Sequence, residues 1–257
     1  MSVPCSTENI LGYNVNNAPL QTCLDALYSW IDDGDYCRVL ACFNPHSYVL
    51  LKENERFVAA LRDVDWLMAD GVGVVYASGF LGGKIRQRIT GYDVFQGLHD
   101  LLERSGHRRV FFLGSTDETL HIIREKMAVQ YPHIEIAGIY SPPFKTRFSP
   151  DDTAQMVDAV NVAQPDVLWV GMTAPKQDIW LYENREKLDV KIAAGVGAVF
   201  DFYAGTIQRS HPVFQRVGLE WLPRLLQEPR RLWKRMFVSA PIFVADVIRE
   251  KMKGRGE

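Results

Sequence analysis

Short runs of β-branched and aromatic residues alternate along most of the chain with longer segments of helical period, and this alternation limits the possible folds more than any other feature. RVFFLGS (Arg109–Ser115) reads as a buried strand running into a turn. TDETLHIIREKMAVQYP follows, with Leu120, Ile123, Met127 and Tyr131 recurring every three or four residues, a helical period. Thr116, next to two acids, starts that helix. IEIAGIYS is a strand, and SPDDTAQMVDAVNVAQ a helix opened by Ser149 and Pro150. DVLWVGM, the helix APKQDIWLYENREKL and the strand KIAAGVG continue the pattern. Earlier, RVLACFN, a helix over Ser47–Leu61, and DWLMADG repeat it. Strands joined by helices in this way predict a mostly parallel sheet with helices on both faces, a Rossmann-like α/β fold. Hydrophobic residues make up 47% and charged residues 23%, which excludes disordered, collagen-like and coiled-coil chains.

The character changes near Thr206. The remainder has no strand-like run and reads as two helices, about Leu219–Phe237 (interrupted near Pro229) and about Ile242–Lys253. Residues 1–206 are therefore expected to form an α/β core, and 207–257 a helical appendage. Of the formal net charge of −2, residues 207–257 carry 11 Lys+Arg against 5 Asp+Glu, a net of +6, leaving −8 on the core. The near-neutral total argues against bulk nucleic-acid binding, while the split into an acidic body and a basic tail shows the charge to be unevenly placed. The start MSVPCSTENILGYNV lacks the pattern of a signal peptide. The tail's longest apolar run, Phe237–Ile248, has 12 residues and contains Asp246, too short to cross a bilayer. The four cysteines form no CxxC, which suits reduced thiols in the cytoplasm and no structural metal.

Ligands of open α/β sheets bind beyond the carboxyl ends of the strands. Those ends here carry Asn44, Asp70, Gly114, Gly171 and the pair Gly195 and Gly197. Glycine at a strand-to-helix turn lets the backbone approach a phosphate, and the helix N-terminus offers it N–H groups. Several such turns on one rim favour a nucleotide diphosphate, although none fits the dinucleotide or Walker patterns. Asp70, after an apolar strand and before Gly71, fits a general base; it equally fits a cap for the following helix. Gln177 opens a helix, where it can bond a sugar or phosphate oxygen or stay solvated. Asp201 can bind ribose hydroxyls or cap a turn. None of the histidines has metal-ligand spacing, and each reads as structural or surface.

Asp63-Val64-Asp65 matches the DxD motif with which many glycosyltransferases hold a divalent cation. It falls at the start of the strand DWLMA, the wrong end of the sheet for this site. Without a metal, cationic side chains must neutralise the diphosphate. Candidates are Lys84, Arg86 and Arg88, with Arg224, Arg230, Arg231, Lys234 and Arg235 in the tail. Arg224, Arg231 and Arg235 share one side of a helix whose Trp and Leu residues make it strongly apolar as well. Such a helix suits an anionic lipid surface, and packing on the core suits it too.

Together these pieces resemble the WecG/TagA/CpsF family of glycosyltransferases, which build bacterial cell-surface polysaccharides. The resemblance runs roughly from Ile10 to Phe237 and rests on ACFNPHS, WLMADGVGVV, RITG, FFLGS, VGMTAPKQD, GVGAVFDFYAG and EWLPRLLQEPRR in that order. It implies an inverting, metal-independent transfer of a sugar from a UDP-sugar, the only cofactor-like ligand, to a polyprenyl-pyrophosphate-linked saccharide at the inner membrane face. Carried over by position, it makes Asp70 the base, Asn44 a positioning group, and Arg88 and Gln177 donor contacts. Asp201 would hold the nucleoside, and Arg224 and Arg231 would fold over the leaving diphosphate. The chain departs from the family pattern at Cys42 in place of Thr, at Met172-Thr173 where many relatives have Gly, at Asp178 where Glu is usual, and at Lys234. The first leaves N-acetylmannosamine, its uronic acid and glucose open as the sugar. Two other classes are a metal-dependent transferase using Asp63 and Asp65, and a nucleotide-binding regulator without chemistry. The apolar tail also suits a homo-oligomeric contact.

Overall fold

A computed structural model of the chain describes residues 6–33, 36–106, 108–207 and 233–254. Its centre is a six-stranded sheet in the order β4-β3-β8-β7-β5-β6, with every pair parallel. The strands are β3 (Arg38–Phe43), β4 (Trp66–Ala69), β5 (Arg108–Gly114), β6 (Ile134–Tyr140), β7 (Val167–Gly171) and β8 (Ile192–Gly195). Because successive side chains point to opposite faces, each apolar run feeds two cores. Leu40, Trp66, Met68, Phe112, Trp169 and Ala194 belong to one. Ala41, Phe43, Leu67, Phe111, Leu168 and Ala193 belong to the other side. On the first face lie α1 (Leu20–Asp33), α5 (Gly91–Ser105), α6 (Asp117–Gln130) and α9 (Val199–Ala204). On the second lie α2 (Pro45–Leu51), α3 (Glu55–Arg62), α4 (Val72–Leu81), α7 (Pro150–Ala163), α8 (Lys176–Asn184) and α10 (Ala240–Lys253). The expected parallel α/β sheet with two covered faces is what the chain forms.

Local signals set several helix starts. Ser149 accepts from the Asp152 N–H and Asp152 reaches back, with Pro150 at the first helical position of α7. Thr116 accepts from Thr119 N–H at 3.2 Å and opens α6. His99, read as structural, is fully buried in an aromatic cluster and accepts from Trp169 Nε1 at 3.2 Å. Burial drives its pKa down to about 3, so it is a neutral imidazole.

Three elements differ from the sequence reading. The single helix expected over Ser47–Leu61 is two, α2 and α3. Asn54 breaks it by accepting from Phe57 N–H at 3.1 Å and capping α3. Ahead of α1, β1 (Thr7–Ile10) and β2 (Tyr13–Asn16) form an antiparallel hairpin the sequence reading had not marked. Its turn residues Leu11 and Gly12 both have positive φ, as a tight primed turn requires. Asn16 Oδ1 then accepts from Leu67 N–H at 2.7 Å, docking the hairpin on β4. At the C-terminus the described helix does not break between Phe237 and Ile242. A π-helical turn over Lys234–Ser239 runs straight into α10, and Pro241, which has no N–H to donate, follows directly after that turn. The helix expected to begin near Leu219, with Arg224 and Arg231, lies largely outside the described residues.

Candidate active site

Strands β3, β4, β7 and β8 end on one rim, and a cavity of 440 Å³ opens there. That volume suits a small-molecule ligand. Asn44, Asp70, Arg88, Gln177, Gly195 and Gly197 all face it, joined by Cys42, His46, Thr90, Asp178, Arg235 and Met236.

Asn44 directly follows β3 and caps α2. Its Oδ1 accepts from His46 N–H at 3.0 Å and Ser47 N–H at 2.9 Å, while Ser47 Oγ accepts from the Asn44 N–H at 2.8 Å. This fixes the amide, so its Nδ2 points outward and donates to Asp70 Oδ2 at 3.2 Å. Asp70 is in turn held by its own N–H, which donates to the Phe43 carbonyl at 2.9 Å. The capping alternative for Asp70 falls away, because Gly71 is the cap residue of α4 and no side chain caps that helix. Burial raises the pKa of the Asp70 carboxyl above its usual value. The Asn44 hydrogen bond and the Arg88 and Arg235 guanidinium groups oppose that rise, and Asp93 adds to it. Asp70 is thus a carboxyl tuned upward, with two guanidinium groups acting on it.

Gln177 is buried at 4% exposure rather than solvated. Its Oε1 accepts from Gly197 N–H at 3.0 Å, and its amide nitrogen bonds Asp178. Both side chains lie against the backbone of Gly195, where a Cβ would come within 2.8 Å of Gln177 Nε2 and 3.1 Å of Asp178 Oδ1. Only glycine at 195 leaves room for that pair. Asp178 itself is 6% exposed, and its Oδ2 has no hydrogen-bond partner. Burial pushes its carboxyl up to about 7. Gln177 therefore shapes the β8–α9 turn, and Asp178 is a buried acid at the cavity wall whose carboxyl holds its proton far above the usual carboxylate range.

At the opposite end of the sheet, Arg185 pairs with Asp63 at 2.9 Å and with Asp65 at 2.5 Å, and Asp65 Oδ2 accepts from Val39 N–H at 2.8 Å. The DxD acids are thus structural ties at the amino ends of β3 and β4.

The sequence model of the glycosyl transferase WecG/TagA/CpsF family matches residues 8–257. The chain belongs to this family. It is 33% identical to an N-acetylglucosaminyldiphosphoundecaprenol N-acetyl-beta-D-mannosaminyltransferase of Bacillus spizizenii, over 81% of this chain and 77% of that protein. A protein of the same name in Bacillus subtilis is 28% identical over 95% and 92%, and one in Staphylococcus aureus is 26% identical over 82% and 79%. The chain is a glycosyltransferase.

Within this family member, the carried-over positions Asn44, Asp70, Arg88 and Gln177 converge on one cavity. Gly114 and Gly171 do not line it. They face each other across β5 and β7, where a Cβ on Gly114 would sit 2.6 Å from the Gly171 carbonyl oxygen. Asp201 is in the first turn of α9 and outside the lining, while its neighbour Phe202 is inside. Arg224 and Arg231 are outside the described residues. His46, which reads from the sequence as structural or surface, lines the cavity; its position two residues after Asn44 is the available signal. Asp178 enters the sequence reading only as a departure from Glu; its place next to Gln177 is the clue to its position in the cavity wall. Among the described residues, no helix is long and apolar enough to cross a membrane.

Proposed function

We propose that the protein transfers an N-acetylmannosaminyl group from a UDP-sugar to a polyprenyl-diphosphate-linked N-acetylglucosamine, inverting the anomeric carbon. The relatives' names describe that sugar and acceptor and a beta product. An α-linked nucleotide donor then requires inversion, hence one displacement.

The observation carrying the mechanism is Asp70 at the rim, hydrogen-bonded by Asn44 and acted on by the Arg88 and Arg235 guanidinium groups. The acceptor hydroxyl oxygen attacks C1 of the donor sugar while its proton passes to Asp70. The bond from C1 to the diphosphate oxygen breaks as the new bond forms. The electron pair leaves with UDP, whose charge is met by the two guanidinium groups. Asn44 orients the carboxylate and needs no change in protonation. Metal-independence is supported by these cations at the cavity and by the engagement of Asp63 and Asp65 with Arg185 at the far end of the sheet.

Attachment to the inner face of the membrane is supported by an exposed apolar strip. Trp233, Phe237 and Val238 stand out from the C-terminal segment beside Lys234, and Tyr76 and Phe80 of α4 stand out near α10.

The test is UDP release from UDP-N-acetylmannosamine and a short-chain prenyl-diphosphate N-acetylglucosamine with EDTA present. Release that needs both substrates is expected. UDP binding without release from this pair or any other UDP-sugar would favour a regulator, and release only after divalent metal is restored would remove the metal-independent reading.

A further inference from the structure

Arg235 reaches the cavity from a helix distant in sequence, and its place there depends on how that helix is fastened. The π-helical turn Lys234–Ser239 takes more residues per turn than α10, which rotates Arg235 and Met236 toward the cavity while Trp233 and Phe237 stay outside. α10 packs on both α2 and α4, and its polar fastening to the body runs to α2 and the Lys52 that follows it. Tyr48 Oη donates to Asp246 Oδ2 at 3.0 Å, and Lys52 pairs with the same carboxylate. Arg249 Nη1 holds the other oxygen, Oδ1, at 2.8 Å. The Tyr48 ring meets Phe243 edge-on with centroids 5.4 Å apart, and Phe243 and Val247 are buried in the same core cluster. Nearer the cavity, His46 Nδ1 and the fully buried Ser239 Oγ lie 3.0 Å apart. The helix carrying these partners is the one that Asn44 caps, and Asn44 holds Asp70.

We infer that Asp246, gripped by Tyr48 and Lys52, is a positioning residue that seats Arg235 in the cavity beside Asp70. Asp246 touches neither the cavity nor Asp70, so it acts only through the helix it anchors. The lysine cancels the buried part of the carboxylate charge, and the tyrosine hydroxyl fixes its orientation. Asp70 and Arg235 are thereby both held through α2, the first by Asn44 at its start and the second through the helix that Tyr48 and Lys52 anchor.

The logic gives a bounded expectation. Losing the anchor can cost no more than losing Arg235 itself, and the two losses cannot multiply. The binding readout rests on the nucleotide-diphosphate reading above. UDP affinity is measured by calorimetry on the full chain for Arg235→Ala, Asp246→Ala, Lys52→Met and the Arg235→Ala/Asp246→Ala double variant. Removing one charge-assisted contact to a diphosphate weakens binding about tenfold or more. Asp246→Ala and Lys52→Met are expected to weaken it by the same factor or less, and the double variant to match Arg235→Ala alone. Multiplying losses, or full affinity in both anchor variants, overturns the inference. Hydrogen exchange separates the two readings. A wild-type chain that fails to bind UDP refutes the donor assignment, and the anchor is then judged by amide protection over Lys234–Ser239. That protection is expected to fall in Asp246→Ala; unchanged protection overturns the inference.

Discussion

Asp178→Asn tests whether the acid at the cavity wall holds its proton above the usual carboxylate range, and its size can be worked out beforehand. The carboxyl is 6% exposed, with Oδ2 unpartnered, and burial pushes its pKa up to about 7 from 3.8. A carboxyl whose folded pKa lies above its unfolded one holds its proton more tightly in the folded protein. Its contribution to stability is full below the unfolded value and is lost as pH rises through about 7. At 1.36 kcal/mol per pH unit, stability lost between pH 6 and pH 8 comes to about 1.4 kcal/mol. For a chain of this length that is a fall in Tm of roughly 3–6 °C. Asparagine keeps the shape and has no proton to lose, so the variant lacks this part of the fall. Thermal unfolding of both ligand-free proteins at pH 6 and pH 8 supplies the comparison, and every other titrating group cancels in the difference of the two falls. Equal falls in wild type and variant would show that Asp178 does not gain its charge in this range, and the account of the cavity wall would be wrong.

Asp70→Asn should leave UDP affinity nearly intact and cut turnover about 100-fold or more, the scale of a lost general base; wild-type-like turnover would remove Asp70 from that role. Since the carboxyl is shifted upward, the acid limb of kcat/KM should fall at a pH above the ordinary carboxylate range, and in Asp70→Asn that limb should vanish. Asp63→Asn should transfer sugar at the wild-type rate with EDTA present, because Asp63 is tied to Arg185 and not to the cavity; a rate that collapses would revive a metal-binding DxD. Phe243→Ala should destabilise the chain by about 3–5 kcal/mol in urea unfolding, since the ring is 1% exposed between α2 and α4; a loss below 1 kcal/mol would mean α10 is not part of the core.

What the sequence made legible follows from the range over which its signals act. All the strands of the sheet but the half-exposed edge strand β6 were readable as short apolar runs buried on both faces, and the residues at their ends follow from chain direction alone. Asn44 and Asp70 were found that way, and strand adjacency in a parallel sheet brings their side chains within 3.2 Å. Whether Asp70 caps α4 or faces the cavity was not readable, because both readings need the same residue at the same spacing; only the positive φ of Gly71 and the Asn44 contact decide between them. The break at Asn54 was missed because the apolar period of Tyr48, Leu51, Phe57 and Leu61 runs through it, and a cap is a weaker signal than that stripe. His46 and Asp178 were undervalued for a different reason. Their importance comes from Ser239, Gln177 and Gly195, and no spacing within a linear segment encodes that His46 meets a residue 193 positions away. The same holds for Arg235. A basic run on an apolar helix reads as a solvated or lipid-facing stripe, and what turns one of its cations toward a carboxylate is a wide helical turn anchored from α2. Charge composition names the ligand class, but the anchoring contacts choose which charges it meets.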